Sequence, residues 1–207
     1  MHGSLRAVLA IAILALVAAR AIAQSRATLD PDWPCQQIKT PTFSLAAVWA
    51  GPQLDLNSQS WRNEPDVAEL KAQMTSRRVP IAEAEKAIAD FKAKAGPDGD
   101  AKLLRAFAAA FDDLSQQRSE VIDGLDRLGR RQNALADRIH AENEAAENAS
   151  DQKGDSAAPT GADNQDKLLW DLRIYNDRRQ TASYVCEAPT LIEQRIGAIA
   201  RAVQNAL

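Results

Sequence analysis

Residues 103–139 read LLRAFAAAFDDLSQQRSEVIDGLDRLGRRQNALADRI. Apolar side chains recur in this stretch at alternating intervals of three and four residues, which places them on one face of an α-helix. Arg118 and Gln132 interrupt the pattern, and a polar residue in such a seam can fix the register of two paired helices. The pattern predicts a long helix over about 100–147 with a coiled-coil seam. The apolar seam positions are Leu104, Phe107, Phe111, Leu114, Val121, Leu125, Leu128, Leu135 and Ile139.

A second long helix is predicted near the end of the chain. The same alternation of three and four residues runs from residue 168 to Cys186 and resumes at Ile192. Pro189 lies between the two runs and lacks a backbone N–H, so we expect a break at 187–189. The first seam positions of this helix are Leu168, Leu172 and Tyr175.

The two apolar stripes bury each other most simply if the chain folds back on itself. We therefore predict a long antiparallel, coiled-coil-like helical hairpin, with facing residue numbers that sum to about 312. This register places Gln132 near Gln180 and Val121 near Leu191. Residues 148–166 are rich in alanine, aspartate, glycine and serine, and they are predicted to form a flexible linker. The alternative is that the stripes of two chains pair, which gives a coiled-coil homodimer instead of a monomer.

The rest of the fold is predicted to pack on the base of this hairpin, meaning the half formed by residues 100–125 and 186–207. Residues 66–95 carry helical spacing of apolar side chains, so the predicted helical bundle extends over 66–207. Residues 24–65 are punctuated by proline and read as an irregular segment with one short helix. That segment also contains Trp33, Trp49 and Trp61. The predicted fold class is all-α.

The N-terminus has the pattern of a cleavable secretory signal. Arg6 precedes a short apolar run, and AIA at 21–23 fits a small-x-small cleavage site, so residues 1–23 are predicted to be a signal peptide. The run is shorter than the about 20 residues of a membrane-spanning helix. An uncleaved N-terminal anchor is the alternative. The alanine-rich and arginine-rich style suggests a bacterium, so we expect the mature protein in the periplasm, without a stable membrane span.

The charge of the chain argues against nucleic acid as a partner. The whole sequence has 25 Lys and Arg against 28 Asp and Glu, a net charge of −3. Removal of the signal takes Arg6 and Arg20 with it, so the mature chain has 23 basic residues against 28 acidic ones and a net charge of −5. Such an acidic protein is poorly suited to nucleic acids or anionic membranes.

The chain has two cysteines, Cys35 and Cys186. In an exported protein an even number of cysteines indicates disulfides, and two cysteines allow one pairing. The alternative is a redox-active or intermolecular thiol, but the sequence has no C-x-x-C motif and no histidine beside either cysteine. We predict that a structural disulfide joins the N-terminal segment to the last long helix.

The sequence contains few residues or motifs that are typical of an active site. The mature chain has one histidine, His140, in a highly charged stretch, and Glu144 is the only nearby residue placed to share a metal with it. No G-x-S-x-G, G-x-G-x-x-G or P-loop motif is present. We therefore expect no enzyme activity, no cofactor and no metal.

Two hypotheses for function remain. The first is an interaction protein, acting as an adaptor or assembly factor for protein partners in a bacterial envelope complex. The second is a periplasmic chaperone or small-ligand carrier that uses Trp33, Trp49 and Trp61, because aromatic residues are favoured at binding hot spots. The competing interpretation of these tryptophans is that they pack onto the bundle.

Overall fold

The computed structural model describes residues 30–151 and 160–207, and these residues are all-α, as predicted. Asp32–Leu207 form one compact unit. The unit before it, Met1–Pro31, is described only at its last two residues, so the predicted signal peptide 1–23 lies outside the described residues. The described α-helices are α1 (Pro65–Thr75), α2 (Ile81–Lys94), α3 (Gly99–Asp151), α4 (Thr160–Val185) and α5 (Ala188–Ala206), with short 3-10 helices at Leu45–Ala47, Ser60–Asn63 and Gly96–Asp98.

Helix α3 is the longest element, with 53 residues, and it follows the predicted seam. Of the nine apolar seam positions, Phe107, Phe111, Leu114, Leu125 and Leu135 are buried. The other four, Leu104, Val121, Leu128 and Ile139, are partly buried. Gly96, with a φ of 65°, lies just before this helix in the left-handed region that glycine adopts readily. This turn separates α2 from α3 and lets the two helices pack against each other.

The main core lies at the base, where α1, α2 and α5 surround the first third of α3. Its buried side chains come from all four helices, so burial at the base joins elements that are distant in the sequence. The N-terminal segment, defined here as residues 32–63, packs on the same core, as predicted. Its contributions are Phe43, Leu45, Val48, Trp49, Leu54, Leu56 and Trp61.

The contacts between α3 and the last two helices show that they run in opposite directions. Arg118 of α3 meets Glu193 of α5, and Arg138 further along α3 meets Asp171 of α4. Residue numbers therefore fall along α4 and α5 as they rise along α3. The predicted register holds at the base, where the numbers of Arg118 and Glu193 sum to 311, but it is wrong further along, because Gln132 donates to the backbone of Tyr175 rather than lying near Gln180. Coiled-coil packing of side chains stays a prediction.

The predicted seam position of Leu172 on α4 needs correction. Leu172 is 37% exposed, whereas Asp171 is 5% exposed and lies on the packed side of the helix. The reason is that Asp171 accepts a hydrogen bond from Arg138 of α3, so the buried carboxylate has a partner. With Asp171 facing α3, Leu172, the next residue of the helix, faces solvent. Leu168 and Tyr175 are partly buried.

The predicted linker 148–166 is also too long. Residues 148–151 belong to α3 and residues 160–166 to α4, whereas 152–159 lie outside the described residues. Alanine and glutamate are strong helix formers, and they carry α3 past the last seam position. The predicted break at 187–189 agrees with the structure, since α4 ends at Val185 and α5 begins at Ala188.

Candidate functional site

A disulfide attaches the N-terminal segment to the junction between α4 and α5. Cys35 and Cys186 are bonded, with Cα atoms 5.6 Å apart across a sequence separation of 151 residues. Gln37 Nε2 donates to the carbonyl of Cys186, and Trp33 Nε1 donates to the carbonyl of Gln37 at 2.7 Å. The attachment is therefore a disulfide with its own short hydrogen-bond network.

Gly129 lets the N-terminal segment lie directly against α3. A Cβ atom built at Gly129 would overlap the backbone carbonyl of Asp32 and would lie 3.3 Å from Cδ of Pro34. Asn133, one turn later, donates to Asp32 Oδ1 at 3.3 Å. Lys39 of the N-terminal segment forms an ion pair at 2.8 Å with Asp126 of α3. The close approach is possible only because position 129 has no side chain.

Gly129→Ala is expected to destabilise the protein by about 1–3 kcal/mol, because the new methyl group forces the segment away from α3. The matched control is Gly124→Ala, because the one side-chain atom of the described residues within 4 Å of the added methyl group is Nη2 of Arg127, at 3.8 Å. That change should stabilise α3 by about 1 kcal/mol, since it removes only the helix-propensity penalty of glycine. Urea unfolding of both variants measures the difference. If the two variants were equally stable, the proposed close approach at Gly129 would be incorrect.

A buried arginine makes a second attachment of the N-terminal segment. Arg118, 2% exposed, donates from Nε to Glu193 at 2.6 Å and from Nη2 to the carbonyl of Thr40 at 2.6 Å. Its guanidinium also lies 5.7 Å from the ring centroid of Phe43, a cation–π distance. One side chain of α3 therefore joins the N-terminal segment to α5.

The three tryptophans contact different parts of the molecule. Trp33 lies beside the disulfide, whereas Trp49 packs on Phe107 with ring centroids 4.6 Å apart. Trp61 packs toward α1, where Nζ of Lys71 lies 5.3 Å from its ring. Pro34, the neighbour of Trp33, lies against Gly129, whereas Trp49 lies against Phe107. Gly129 and Phe107 are 22 residues apart on α3, or about 33 Å at 1.5 Å per residue. The tryptophans therefore do not line one shared binding site.

Helix α4 presents large apolar side chains to solvent as well as to α3. Leu169 and Trp170 are 60% and 62% exposed, and Tyr184 is 71% exposed. Val185, at the end of α4, is also exposed, and so is Ile38, which follows the disulfide-linked part of the N-terminal segment. These exposed residues form two groups on α4, one of Leu169, Trp170 and Leu172 and one of Tyr184 and Val185, and the two groups together are called the outer face of α4.

Polar contacts fix the orientation of the outer face. Arg138 Nε lies 2.6 Å from Asp171, and this hydrogen bond raises the pKa of Arg138. Lys167 Nζ lies 2.5 Å from Glu142 of α3. Because these pairs hold the opposite side of α4 against α3, Leu169 and Trp170 are directed away from it.

A pocket opens at the base between α3, α5 and the connection from α1 to α2. Its volume is about 460 Å³, and most of its lining is apolar. The lining residues are Arg77, Ile81, Leu114, Ala188, Leu191, Ile192, Gln194, Arg195 and Ala198. Sequence reasoning missed this pocket, because its walls come from three regions with no shared motif.

Arg195 is held at the wall of this pocket by backbone carbonyls. Its guanidinium donates to Met74 at 2.6 Å, Val79 at 2.9 Å and Gln73 at 3.0 Å. Burial lowers the pKa of Arg195, which is 8% exposed. Two of these carbonyls, those of Gln73 and Met74, lie at the C-terminal end of α1, which is a favourable place for a positive charge.

The described residues contain no group of three or more His, Cys, Asp or Glu side chains that could hold a metal ion. In the same part of the chain, no helix is both long and apolar enough to cross a membrane. No known family, curated protein or solved structure matches this chain. Its function must therefore be inferred from its own residues.

Proposed function

We propose that this is an exported, non-catalytic helical protein that acts as an adaptor or assembly factor in a bacterial envelope complex. It contacts its protein partner through the outer face of α4. The observation that carries the proposal is the concentration of exposed apolar side chains there. Of the eight large hydrophobic residues that are exposed in the described part of the chain, five lie on α4.

The chemistry of this face suits a protein partner. Large exposed apolar side chains that lie side by side mark interaction sites on soluble proteins, and Leu169 and Trp170 are adjacent in this way. Trp and Tyr are the side chains most often found at interface hot spots, and the outer face has one of each, Trp170 and Tyr184. Arg173 and Asp177 are exposed between them and can form the polar rim that surrounds such hot spots.

The disulfide supports the export part of the proposal. Disulfides persist in oxidising compartments such as the periplasm and are rare in the cytosol of ordinary bacteria. The Cys35–Cys186 bond is therefore compatible with a secreted protein, in agreement with the predicted signal over 1–23. A ligand carrier built on the tryptophans is the less favoured candidate, since Trp33, Trp49 and Trp61 are dispersed.

Site-specific photo-cross-linking in living cells tests the proposal directly. A photoreactive residue at position 170 should give discrete cross-linked products with a partner protein. The same residue at Glu85, which is exposed on α2 away from the outer face, serves as the matched control. Equal labelling at both positions, or none at position 170, would contradict the proposal.

Trp170→Ala should weaken the partner complex by about 30-fold, which corresponds to the about 2 kcal/mol of an interface hot spot. Because the side chain is exposed, the free energy of unfolding should change by less than about 0.5 kcal/mol. Co-purification with the partner identified by cross-linking measures the first quantity, and urea unfolding the second. Unchanged binding by this variant would remove Trp170 from the interface.

A further inference from the structure

The pocket at the base has the size and lining of a small-molecule site. Its volume of about 460 Å³ falls in the about 300–1,000 Å³ range of ligand pockets. Ile81, Leu114 and Ile192 form apolar walls, and Leu191 stands at the mouth with 59% of its surface exposed. A large exposed leucine beside an apolar cavity leaves hydrophobic surface in water that a ligand could cover.

The charge of the pocket has one sign. Its two ionisable lining residues are both arginines, Arg77 and Arg195, and no acidic residue lines it. Arg195 makes its hydrogen bonds to backbone carbonyls, so a carboxylate does not neutralise it. Arg77 is exposed, and no carboxylate in the described residues pairs with it. An apolar cavity beside two such cations is electrostatically complementary to an anion with an apolar tail.

We propose that this pocket binds a small single-chain anionic amphiphile of the alkyl carboxylate class. The alkyl chain lies against the walls formed by Ile81, Leu114 and Ile192, and the carboxylate lies at the Arg77 side. Arginine is suited to this role because its guanidinium presents a planar set of donors to a carboxylate.

The dimensions of the pocket favour a small molecule over a protein. A stable protein interface uses about 20–30 residues from each partner and about 800 Å² of surface. Nine residues line this pocket. No residue of the outer face of α4 lines this pocket, so its ligand and the proposed protein partner can be tested with different variants.

Titration calorimetry of the full mature protein, with its disulfide intact, tests the proposal. The probes are octanoate, decanoate and dodecanoate, used below their micelle concentrations. We expect saturable binding at one site, with affinity rising about fourfold for each added methylene until the pocket is full. Dodecyltrimethylammonium, which has the same chain and a positive head, should not bind. Equal binding of the cationic amphiphile, or no saturable binding of any carboxylate, would overturn the proposal.

Arg77→Ala should weaken dodecanoate binding about tenfold, since it removes a charge-assisted hydrogen bond. The control is Arg78→Ala, because Arg78 is the exposed neighbour that does not line the pocket.

Leu191→Asp should weaken binding by more than about tenfold, because a carboxylate at the mouth repels the ligand's head. Ile38→Asp controls for it, since Ile38 is 79% exposed on the N-terminal segment and lines neither the pocket nor the outer face of α4. If either control lost as much affinity as its partner, the ligand would bind elsewhere. Circular dichroism verifies that each variant is folded.

Discussion

Arg118→Ala is expected to lower the free energy of unfolding by about 3 kcal/mol, as removal of one partner from a buried ion pair does. Two losses combine in this variant. Glu193 loses the cation that pairs with it, and the carbonyl of Thr40 loses its donor at 2.6 Å. Truncation of a side chain that is only 2% exposed also leaves a cavity between α3, α5 and the N-terminal segment.

Urea unfolding measures this effect, and two further variants interpret it. Arg127→Ala removes an exposed arginine from the same helix and should change the free energy of unfolding by less than about 0.5 kcal/mol. Glu193→Gln, combined with Arg118→Ala, should cost less than the sum of the two single changes, because each partner's loss already breaks the pair. If Arg118→Ala were no more destabilising than Arg127→Ala, Arg118 would not be the attachment described above.

The seam of α3 shows why the fold class could be predicted from the sequence. A long helix with one apolar face must bury that face, and the spacing alone identifies which residues do so. The two polar exceptions, Arg118 and Gln132, were recognised as seam positions and are buried. What the spacing does not contain is the identity of their partners, because Thr40, Tyr175 and Glu193 are distant in the sequence.

Helix α4 shows where periodicity fails. Apolar residues lie on both of its faces, so the spacing of leucines does not identify the packed one. Asp171 rather than Leu172 faces α3 because Asp171 accepts a hydrogen bond from Arg138, a residue of that other helix. A buried acid with a partner is compatible with packing, whereas the same acid without a partner is not. This long-range pairing sets both the register and the outer face on which the proposed function depends.

The glycines of α3 also show that long-range contacts are not contained in the spacing of residues. By helix propensity, Gly124 and Gly129 each cost about 1 kcal/mol, and the sequence gives no reason to distinguish them. The structure does, since only Gly129 lies under the backbone of Asp32. The base pocket is a further case, because Arg77 and Arg195 line the same pocket only after α1 and α5 have packed.

Removal of the disulfide is expected to lower the free energy of unfolding by about 2–5 kcal/mol. The bond closes a loop with a sequence separation of 151 residues, so it restricts the unfolded chain strongly. It also keeps Trp33, Lys39 and Thr40 near α3, so their contacts with this helix form with a smaller loss of chain entropy. The variant Cys35→Ser, Cys186→Ser loses both effects.

Wild-type protein unfolded in urea with and without reductant provides the matched comparison. Reduced wild type should unfold at the same urea concentration as the double variant, and oxidised wild type at a higher one. In the absence of urea, the double variant should become more sensitive to proteolysis near residues 32–40, whereas the core of α1, α2, α3 and α5 stays protected. This pattern is expected because the core packing of that bundle does not pass through Cys35. If wild type prepared without reductant contains two free thiols, or unfolds at the same urea concentration as the variant, the N-terminal segment is held by Arg118 and Gly129 without a covalent bond.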